Sequence, residues 1–259
     1  MINKYNSNSM SAIIITSATE KGGEGKTATV QAGAGAMASL GKKVLMIDLD
    51  PQGSLSSHFL KEIPSRTSAD VFFKKKFPTV QVGENLYLVP ADVDLLQVES
   101  SMEGPEDQLV LKDALKSVKD KYDYIFVDCP PAQGWLLMNA MASCDILLVP
   151  MSMDSKALEG VSKIAEASLL LVEKPAITRV LFTKYNPRLK ITKIVEPKAR
   201  SRFGSIILNT KIRNCTKLSE CGEHYKDIIS YAPTCNAAED YMSLSAELLE
   251  IVGEMTKLG

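Results

Sequence analysis

The sequence predicts an α/β fold of three layers, in which a mostly parallel sheet is flanked by helices on both faces. Short apolar runs, which are typical of buried strands, alternate along the chain with longer stretches of helical periodicity. Strands that are apolar throughout are buried on both faces, and this indicates a parallel sheet covered on each side. In addition, a glycine-rich loop joins the first apolar run to a helix built of small residues.

Seven apolar runs predict the strands, which cover residues 12–17, 43–49, 86–89, 124–129, 146–151, 179–183 and 205–209. The stretches between them predict helices over residues 27–40, 108–118, 135–142 and 157–172. Gly41 marks the end of the first helix, because glycine commonly follows a helix C-terminus. A last helix would place one apolar face inward, formed by Tyr241, Leu244, Leu248, Ile251 and Met255.

The composition fits one globular domain. The chain has 259 residues, of which 45% are hydrophobic and 24% charged, so it can bury a sizeable core. We expect a single domain over residues 11–259, preceded by a flexible extension over residues 1–10. Five cysteines without a C-x-x-C pair predict reduced thiols, and no apolar run is long enough to span a membrane. A cytoplasmic protein without a membrane partner is therefore expected.

The net charge of −1 conceals an uneven distribution of charge. Residues 184–217, here called the basic segment, contain ten basic side chains and one acid, Glu196, whereas the rest of the chain carries 20 basic and 30 acidic side chains. A local positive field can bind a polyanion even when the whole protein is nearly neutral. The alternative is a solvated surface, which is the usual role of a charge run.

The most informative motif is KGGEGKT at residues 21–27, between the first predicted strand and helix. Glycines let the backbone turn its N–H groups toward phosphate oxygens, and the helix N-terminus adds partial positive charge. Lys26 would reach the β- and γ-phosphates of a nucleotide, and Thr27 would ligate Mg²⁺. Because Glu20 replaces the first glycine of the ordinary G-x-x-x-x-G-K-[ST] pattern, a chance glycine-rich turn is the alternative.

A second glycine motif, GAGAMA at residues 33–38, matches the dinucleotide fingerprint G-x-G-x-x-[GA]. It lies inside a predicted helix rather than between a strand and a helix, so its context is wrong for that function. We interpret its small residues as a close packing contact between this helix and the sheet.

Acidic residues follow two of the predicted strands. Asp48 and Asp50 come at the end of the second strand, where alternation places them on one side, and Asp128 ends an apolar run. Ligands of open α/β sheets bind at the carboxyl edge of the strands. One carboxylate can hold the water shell of Mg²⁺ while another orients an attacking water. Taken alone, an aspartate at a strand end more often marks a turn.

Together these motifs resemble the ParA family of partition ATPases, which belong to the deviant Walker A group of P-loop proteins. Residues 21–27 are similar to the deviant Walker A motif, residues 48–53 to the second acidic motif, and residues 128–131 to Walker B. Later matches are ALEG at residues 157–160, RN at 213–214, LSE at 218–220 and YAP at 231–233. The resemblance covers nearly the whole chain and implies the P-loop NTPase fold.

The resemblance implies an ATPase that is weak unless stimulated, in which two subunits enclose two ATP molecules. Lys21 would reach the phosphates of the partner, Lys26 those of its own subunit, and Asp50 would position water. ATP and Mg²⁺ are the implied cofactors. The implied metal residues are Thr27, Asp48 and Asp128, and the implied nucleotide-binding residues are Gly22, Gly23, Glu24, Gly25, Lys26, Thr27 and Ala28.

Three positions depart from the pattern of the family. Glu24 stands where the family often has valine, and Ala28 replaces a frequent threonine. Neither change is expected to remove a phosphate contact. Ile212 stands where proline often precedes Arg213, which leaves the adenine pocket undefined.

The resemblance further implies that an ATP-dependent homodimer binds double-stranded DNA without sequence specificity, which would associate the protein with the nucleoid. A ParB-like centromere-binding adaptor would stimulate hydrolysis. Lysine and arginine bind duplex DNA by neutralising phosphates, and aromatic residues are too sparse in the basic segment for stacking on single strands. The candidate DNA contacts are Arg188, Arg200, Arg202, Lys211, Arg213 and Lys217.

Three alternatives remain open at this point. A ParA-like ATPase can position a protein cargo in place of DNA. A MinD-like ATPase acts on a membrane surface, but it would need a basic amphipathic C-terminal helix, whereas residues 236–259 carry five acids and one lysine. A P-loop reductase that holds a shared iron–sulfur cluster is the third.

Overall fold

The computed structural model describes residues 11–131, 133–171 and 175–258. Within these residues eight strands form one sheet. They are β1 (Ile13–Ser17), β2 (Val44–Asp48), β3 (Val80–Gly83), β4 (Leu86–Val89), β5 (Tyr124–Asp128), β6 (Ile146–Ser152), β7 (Ile177–Tyr185) and β8 (Ile207–Arg213). The strand order is β3-β4-β2-β5-β1-β6-β7-β8. All neighbouring pairs are parallel except β3 and β4, so the predicted mostly parallel sheet is confirmed.

Helices cover both faces of the sheet. They are α1 (Lys26–Ser39), α2 (Ser54–Phe59), α3 (Ala69–Lys74), α4 (Leu95–Ser101), α5 (Val110–Leu115), α6 (Trp135–Ser143), α7 (Ala157–Leu171), α8 (Lys190–Phe203), α9 (Lys217–Glu223), α10 (Ile228–Tyr231) and α11 (Asn236–Leu258). None of these helices is both long and apolar enough to cross a membrane.

The two faces of the sheet bury separate hydrophobic clusters. Side chains alternate along each strand, so that Ile14 packs with the layer of α3 to α8 and Ile15 with the layer of α1, α2 and α9 to α11. The same alternation holds at Ile125 and Phe126 in β5. The three-layer α/β fold class is therefore confirmed.

Two glycines of helix α1 allow close contacts, one with the sheet and one with the residue before α10. A Cβ atom added to Gly33 would lie 3.2 Å from Cε1 of Phe126 on β5, and one added to Gly35 would lie 2.6 Å from Oδ1 of Asp227. The contact at Gly33 supports the predicted close packing of this helix on the sheet, whereas Gly35 faces Asp227. The helix ends at Ser39, and Gly41 then adopts a φ of 79°, as expected for a residue beyond a C-terminus.

Several predicted boundaries are wrong. The strand predicted at residues 205–209 in fact begins at Ile207 and runs to Arg213. The prediction ended too early because the second half of this edge strand contains polar residues. The predicted helix over residues 108–118 is α-helical only over Val110–Leu115, after a 3-10 turn at Pro105–Leu109. The predicted end of α7 at residue 172 and the extension over residues 1–10 lie outside the described residues.

The sequence patterns give no sign of α8 or β3. Helix α8 buries only Thr192, Val195 and Ala199 and contains Pro197, so its apolar stripe is narrow and is interrupted by a helix-breaking residue. Strand β3 has only four residues and lies antiparallel at the edge of the sheet. Strand β3 is held by its pairing with β4, and α8 is held by the buried side chains of Val195 and Ala199 in the hydrophobic cluster of the α3 to α8 layer.

We expect Gly35→Ala to lower the free energy of unfolding by about 1–3 kcal/mol, because the new methyl group must displace the side chain of Asp227. Urea denaturation measures the change. The matched control is Gly253→Ala in α11, where an added Cβ meets no atom within 4 Å. That control should leave stability unchanged or raise it by up to about 1 kcal/mol. Equal stability of the two variants would contradict the packing account.

Candidate phosphate-binding site

The glycine-rich loop lies at the carboxyl edge of the sheet, between β1 and α1. Gly23 and Gly25 have φ values of 80° and 97°, in the left-handed region that glycine adopts without strain. Gly25 is the residue before α1, and no side chain caps the N–H groups of the first helical turn. These N–H groups and the positive end of the helix dipole form an anion-binding site at the loop.

Lys26 is held inside this loop. Lys26 is buried, and its Nζ donates a hydrogen bond of 3.3 Å to Oγ1 of Thr19. The Thr19 hydroxyl in turn donates to the carbonyl of Lys21 at 2.7 Å. The ammonium group of Lys26 is therefore kept at the loop by a hydroxyl that the sequence patterns do not single out.

Lys21 has a different environment. Its Nζ lies 3.1 Å from a carboxylate oxygen of Asp154, just beyond β6, and both side chains are substantially exposed. A hydrogen bond from the backbone N–H of Lys156, together with Lys21, lowers the pKa of Asp154. Glu20, which replaces the first glycine of the ordinary motif, pairs with Lys163 of α7 at 2.7 Å. Both residues thus tie the outer side of the loop to the region around the start of α7.

The Glu24 side chain is turned into the protein. It is 5% exposed, and Oε2 accepts a hydrogen bond of 2.7 Å from the backbone N–H of Ser152 at the end of β6. The carbonyl of Glu24 accepts a hydrogen bond of 2.8 Å from the Thr183 hydroxyl on β7. The loop is therefore anchored to two strands, β6 through the Glu24 carboxylate and β7 through the Glu24 carbonyl.

Asp48 and Asp128 lie side by side on neighbouring strands, as the parallel register of β2 and β5 places them opposite each other. Both residues are fully buried. Oδ2 of Asp48 accepts hydrogen bonds from the backbone N–H and the hydroxyl of Ser56, at 2.8 and 2.7 Å. Within the described chain, neither carboxylate oxygen of Asp128 has a hydrogen-bond partner.

The burial of two adjacent carboxyl groups changes their titration. Burial raises the pKa of Asp48 to about 6, although hydrogen bonds from Ser56 and Asp50 act in the opposite direction. Burial and the charge of Asp48 raise the pKa of Asp128 well above its usual value, and the Thr27 side chain and Lys26 ammonium oppose this rise. The pair therefore favours a bound proton or cation.

Asp50 lies in a turn and not in the strand, which corrects the expectation from alternation. Strand β2 ends at Asp48, and the backbone N–H of Asp50 donates to Oδ1 of Asp48 at 3.0 Å. Oδ1 of Asp50 accepts a hydrogen bond of 2.9 Å from Gln52. Unlike Asp48, Asp50 is partly exposed, and its carboxylate is accessible to solvent beside the buried pair.

The predicted DNA contacts divide into two groups. Arg200 and Lys211 both bind Glu196, at 3.0 and 2.6 Å. Although burial acts to raise it, hydrogen bonds from Lys211, Tyr185 and Arg200 hold the pKa of Glu196 at about 2. Arg213 binds Asp240 and Glu239.

The other three candidates, Arg188, Arg202 and Lys217, are exposed. Among the described residues they form no ion pair. The guanidinium group of Arg202 stacks on the ring of Phe203. The six candidates therefore do not form one uniform set, because half of them already have acidic partners in the same subunit.

Two further observations bear on the alternatives. In the described part of the chain no group of three or more His, Cys, Asp or Glu side chains is arranged to hold a metal ion. The buried side chain of Ile212 belongs to the hydrophobic cluster on the α1 face, so it does not by itself define an adenine pocket.

Known proteins are similar to this chain in sequence and in fold. Residues 12–179 match a family model described as an AAA domain. The chain is 36% identical over 251 residues to the sporulation initiation inhibitor protein Soj of Bacillus subtilis, covering 91% of this chain and 97% of that protein. It is 33% identical over 245 residues to the chromosome-partitioning ATPase Soj of Treponema pallidum, covering 91% of this chain and 96% of that protein.

Among solved structures, the fold is similar to cobyrinic acid a,c-diamide synthase from Mycobacterium smegmatis with bound ADP and magnesium. The TM-score is 0.78 with 24% identity, and the match covers 92% of this chain and 94% of that chain. At this level of identity the similarity shows the fold alone.

We expect Asp128→Asn to raise the stability of the nucleotide-free protein at pH 8, because an amide in place of the buried carboxyl group carries no charge to desolvate. Because the pKa of Asp128 is raised on folding, its contribution to stability is present at low pH and is lost as the pH rises. The same holds for Asp48, whose contribution is lost as the pH rises through about 6. The gain should therefore shrink toward pH 5. Urea denaturation at both pH values measures it.

The matched control is Asp107→Asn, since hydrogen bonds from the backbone N–H groups of Gly104 and Glu103 lower the pKa of Asp107. This control should lose stability at pH 8. An Asp128→Asn protein that is less stable than the wild type at both pH values would contradict the account of the buried pair.

Proposed function

The chain belongs to the ParA/Soj family of P-loop ATPases, and from this premise we propose that it is an ATP-hydrolysing enzyme of DNA partition. One observation supports the catalytic part above all others. An uncapped helix N-terminus, a buried lysine and a buried aspartate without a hydrogen-bond partner meet at one edge of the sheet. These groups are complementary to a triphosphate with its metal ion.

The donor set fits ATP with Mg²⁺. The unpartnered oxygens of Asp128 and the hydroxyl of Thr27 are hard oxygen ligands of the kind that Mg²⁺ prefers, and Asp48 lies beside them. Mg²⁺ usually combines one or two protein carboxylates with phosphate oxygens, so the nucleotide would complete the ligand set. When bound, the ion would neutralise charge on the phosphates. The M. smegmatis synthase, which shares the fold, binds ADP and magnesium at its own site.

Different residues of the chain would stabilise the phosphate charge and orient the attacking water. Lys26 and the loop N–H groups would stabilise the negative charge that develops on the phosphates. Asp50 is partly exposed next to the buried pair, where its carboxylate can orient a water molecule for attack. We propose Lys21, Lys26 and Asp50 as the catalytic residues.

Dimer formation would require a change at Lys21. Its ammonium group is held by Asp154 of the same subunit at 3.1 Å, so it must leave that carboxylate before it can reach phosphates of a second subunit. An exposed ion pair contributes little to stability, and the phosphates of a bound nucleotide carry more negative charge than one aspartate. An ATP-dependent homodimer is therefore compatible with this resting arrangement.

The basic segment supports the proposal of non-specific DNA binding. Arg188, Arg202 and Lys217 are exposed and are not ion-paired to described carboxylates, so they can neutralise phosphates without first breaking an ion pair. Two subunits would present two such surfaces, and bivalent binding raises affinity without any new contact. This avidity would make DNA binding depend on ATP and place the protein on the nucleoid.

We further propose that the protein acts in DNA segregation and that a ParB-like adaptor stimulates its ATP hydrolysis. The second candidate within the family is the positioning of a protein cargo, which would use the same ATP cycle. Membrane attachment of the MinD type is not favoured, because the exposed charges of α11 are mainly acidic and include Glu239, Glu250 and Glu254.

We expect Lys26→Ala to abolish productive ATP binding, because it removes the buried cation of the loop. Lys21→Ala should keep some nucleotide binding but lose ATP-driven dimerisation and hydrolysis. Asp50→Ala should trap an ATP-bound dimer. Light scattering and phosphate release measure these effects. Normal ATP-dependent dimers and normal turnover in Lys21→Ala would show that this lysine has been assigned the wrong role.

We expect duplex DNA of arbitrary sequence to bind with ATP and much less with ADP, in a gel shift across a salt series. Replacing both Arg188 and Lys217 by glutamine should weaken binding equally for all sequences and lower the salt slope by about 1 per lost phosphate contact. Lys257→Gln, an exposed lysine of α11, serves as the control. Equal binding with both nucleotides, or none with either, would refute DNA binding controlled by ATP.

A further inference from the structure

The short helix α2 connects the buried carboxyl pair to the C-terminal part of the chain. It begins at Ser54, soon after Asp50, and has only six residues. Ser56 holds Oδ2 of Asp48 with two hydrogen bonds, and its hydroxyl also accepts a hydrogen bond of 2.7 Å from the N–H of Ala91. Any displacement of the Asp48 carboxylate therefore acts directly on α2.

His58 lies one helical half-turn further along α2 and contacts the segment of residues 221–228, here called the α9–α10 junction. Its Nε2 donates a hydrogen bond of 2.8 Å to the carbonyl of Lys226, and the Sγ of Cys221 lies 3.8 Å from the same nitrogen. Burial lowers the pKa of His58, against the effects of the Lys226 carbonyl and the Asp227 charge. A neutral imidazole has one N–H group, and this group is committed to the junction.

The contact between His58 and α9 is tight. A Cβ atom at Gly222 would lie 2.9 Å from Nδ1 of His58, so the imidazole packs against the backbone of α9 where glycine leaves room for it. A cleft of about 350 Å³ borders this contact and is lined by Ser54, Ser57 and Tyr225, among others. Motion of α2 in either direction would thus be transmitted to α9 by direct contact.

Helix α1 holds the same junction from its other side. Oε1 of Gln31 accepts a hydrogen bond of 3.3 Å from the N–H of Ile228, and Nε2 of Gln31 lies 3.8 Å from Sγ of Cys221. Asp227 caps α10 through the N–H groups of Ile229 and Ser230. The junction therefore contacts both α1 and α2, the two helices that begin at the phosphate-binding edge.

Helix α9 begins at Lys217, one of the exposed basic residues proposed to bind DNA. Along the path from the carboxyl pair to this lysine, the imidazole of His58 lies between α2 and the α9–α10 junction. We propose that His58 is a positioning residue that couples occupation of the Asp48–Asp128 site to the orientation of α9, and through it to the DNA affinity of the protein. The DNA part rests on the proposed function, whereas the coupling of α2 to α9 does not.

The coupling is tested by amide hydrogen exchange over residues 215–228, with no nucleotide, with ADP and with ATP and Mg²⁺. In the wild type we expect ATP to change the protection of this region. His58→Phe keeps the bulk of the ring but removes the N–H donor, so it should abolish most of that change. His58→Gln, which offers an amide donor to the Lys226 carbonyl, should restore part of it. ATP binding and basal hydrolysis should stay near the wild-type level in both variants.

The matched control is His224→Phe. His224 is the only other histidine of the chain, is exposed and stacks on Tyr231 with ring centroids 4.9 Å apart. This control should retain the wild-type response to ATP. Gly222→Ala provides a second variant. Its added methyl group would displace the His58 imidazole from the α9 side, and it removes no hydrogen-bond donor. It should alter the same response if His58→Phe fails to fold.

DNA binding gives the second readout. The ratio of the affinities measured with ATP and with ADP should fall by about fivefold or more in His58→Phe, since that is the usual lower range for coupling between two sites. A purely structural role would lower stability and leave both this ratio and the exchange response unchanged. That result, or a wild type whose residues 215–228 do not respond to ATP, would overturn the inference. If the exchange response depends on His58 but no DNA binds, the coupling stands and the proposed DNA function fails.

Discussion

Two carboxyl groups buried side by side determine how the site is built. Asp48 and Asp128 end neighbouring parallel strands in register, so the geometry of the sheet places them in contact. Loss of hydration raises both pKa values, and the charge of Asp48 raises that of Asp128 further, so the pair favours a bound proton or cation. Asp48 is stabilised by Ser56 on α2, whereas Asp128 has no hydrogen-bond partner within the described chain. The unsatisfied carboxylate faces Lys26 and Thr27, which is why the edge of the sheet is prepared for a phosphate ligand with its metal ion.

The sequence alone predicts those elements whose residues are all buried or whose backbone conformation requires a particular residue. Strands such as β5 are apolar on both faces because both faces are covered, and the loop glycines are required by backbone conformation. Elements at the edges were missed or misplaced, since β8 and α8 mix buried and exposed residues and gain stability from packing. Asp50 lies in a turn, because the strand ends two residues before it. Ion pairs such as Arg213 with Asp240 join residues far apart in sequence, and no local pattern predicts them.

The chain also differs from a generic phosphate loop in its charge. Glu20 and Glu24 accompany Lys21 and Lys26, so the loop has as many acids as bases. The structure assigns both acids to contacts outside the phosphate cradle, Glu20 with Lys163 and Glu24 with Ser152. These contacts hold the loop to α7 and β6 in addition to the usual connection through β1 and α1. Glu20 and Glu24 therefore secure the loop through contacts with α7 and β6.

The ion pair between Lys21 and Asp154 has a further consequence for the response to ionic strength. Both side chains are exposed, so dissolved salt screens their attraction and releases Lys21. In the proposed DNA-binding function, the same salt would weaken contacts between the basic segment and phosphates, because added salt opposes counterion release. Rising ionic strength would thus free the lysine from its intramolecular partner while opposing the polyanion contacts of the proposed function.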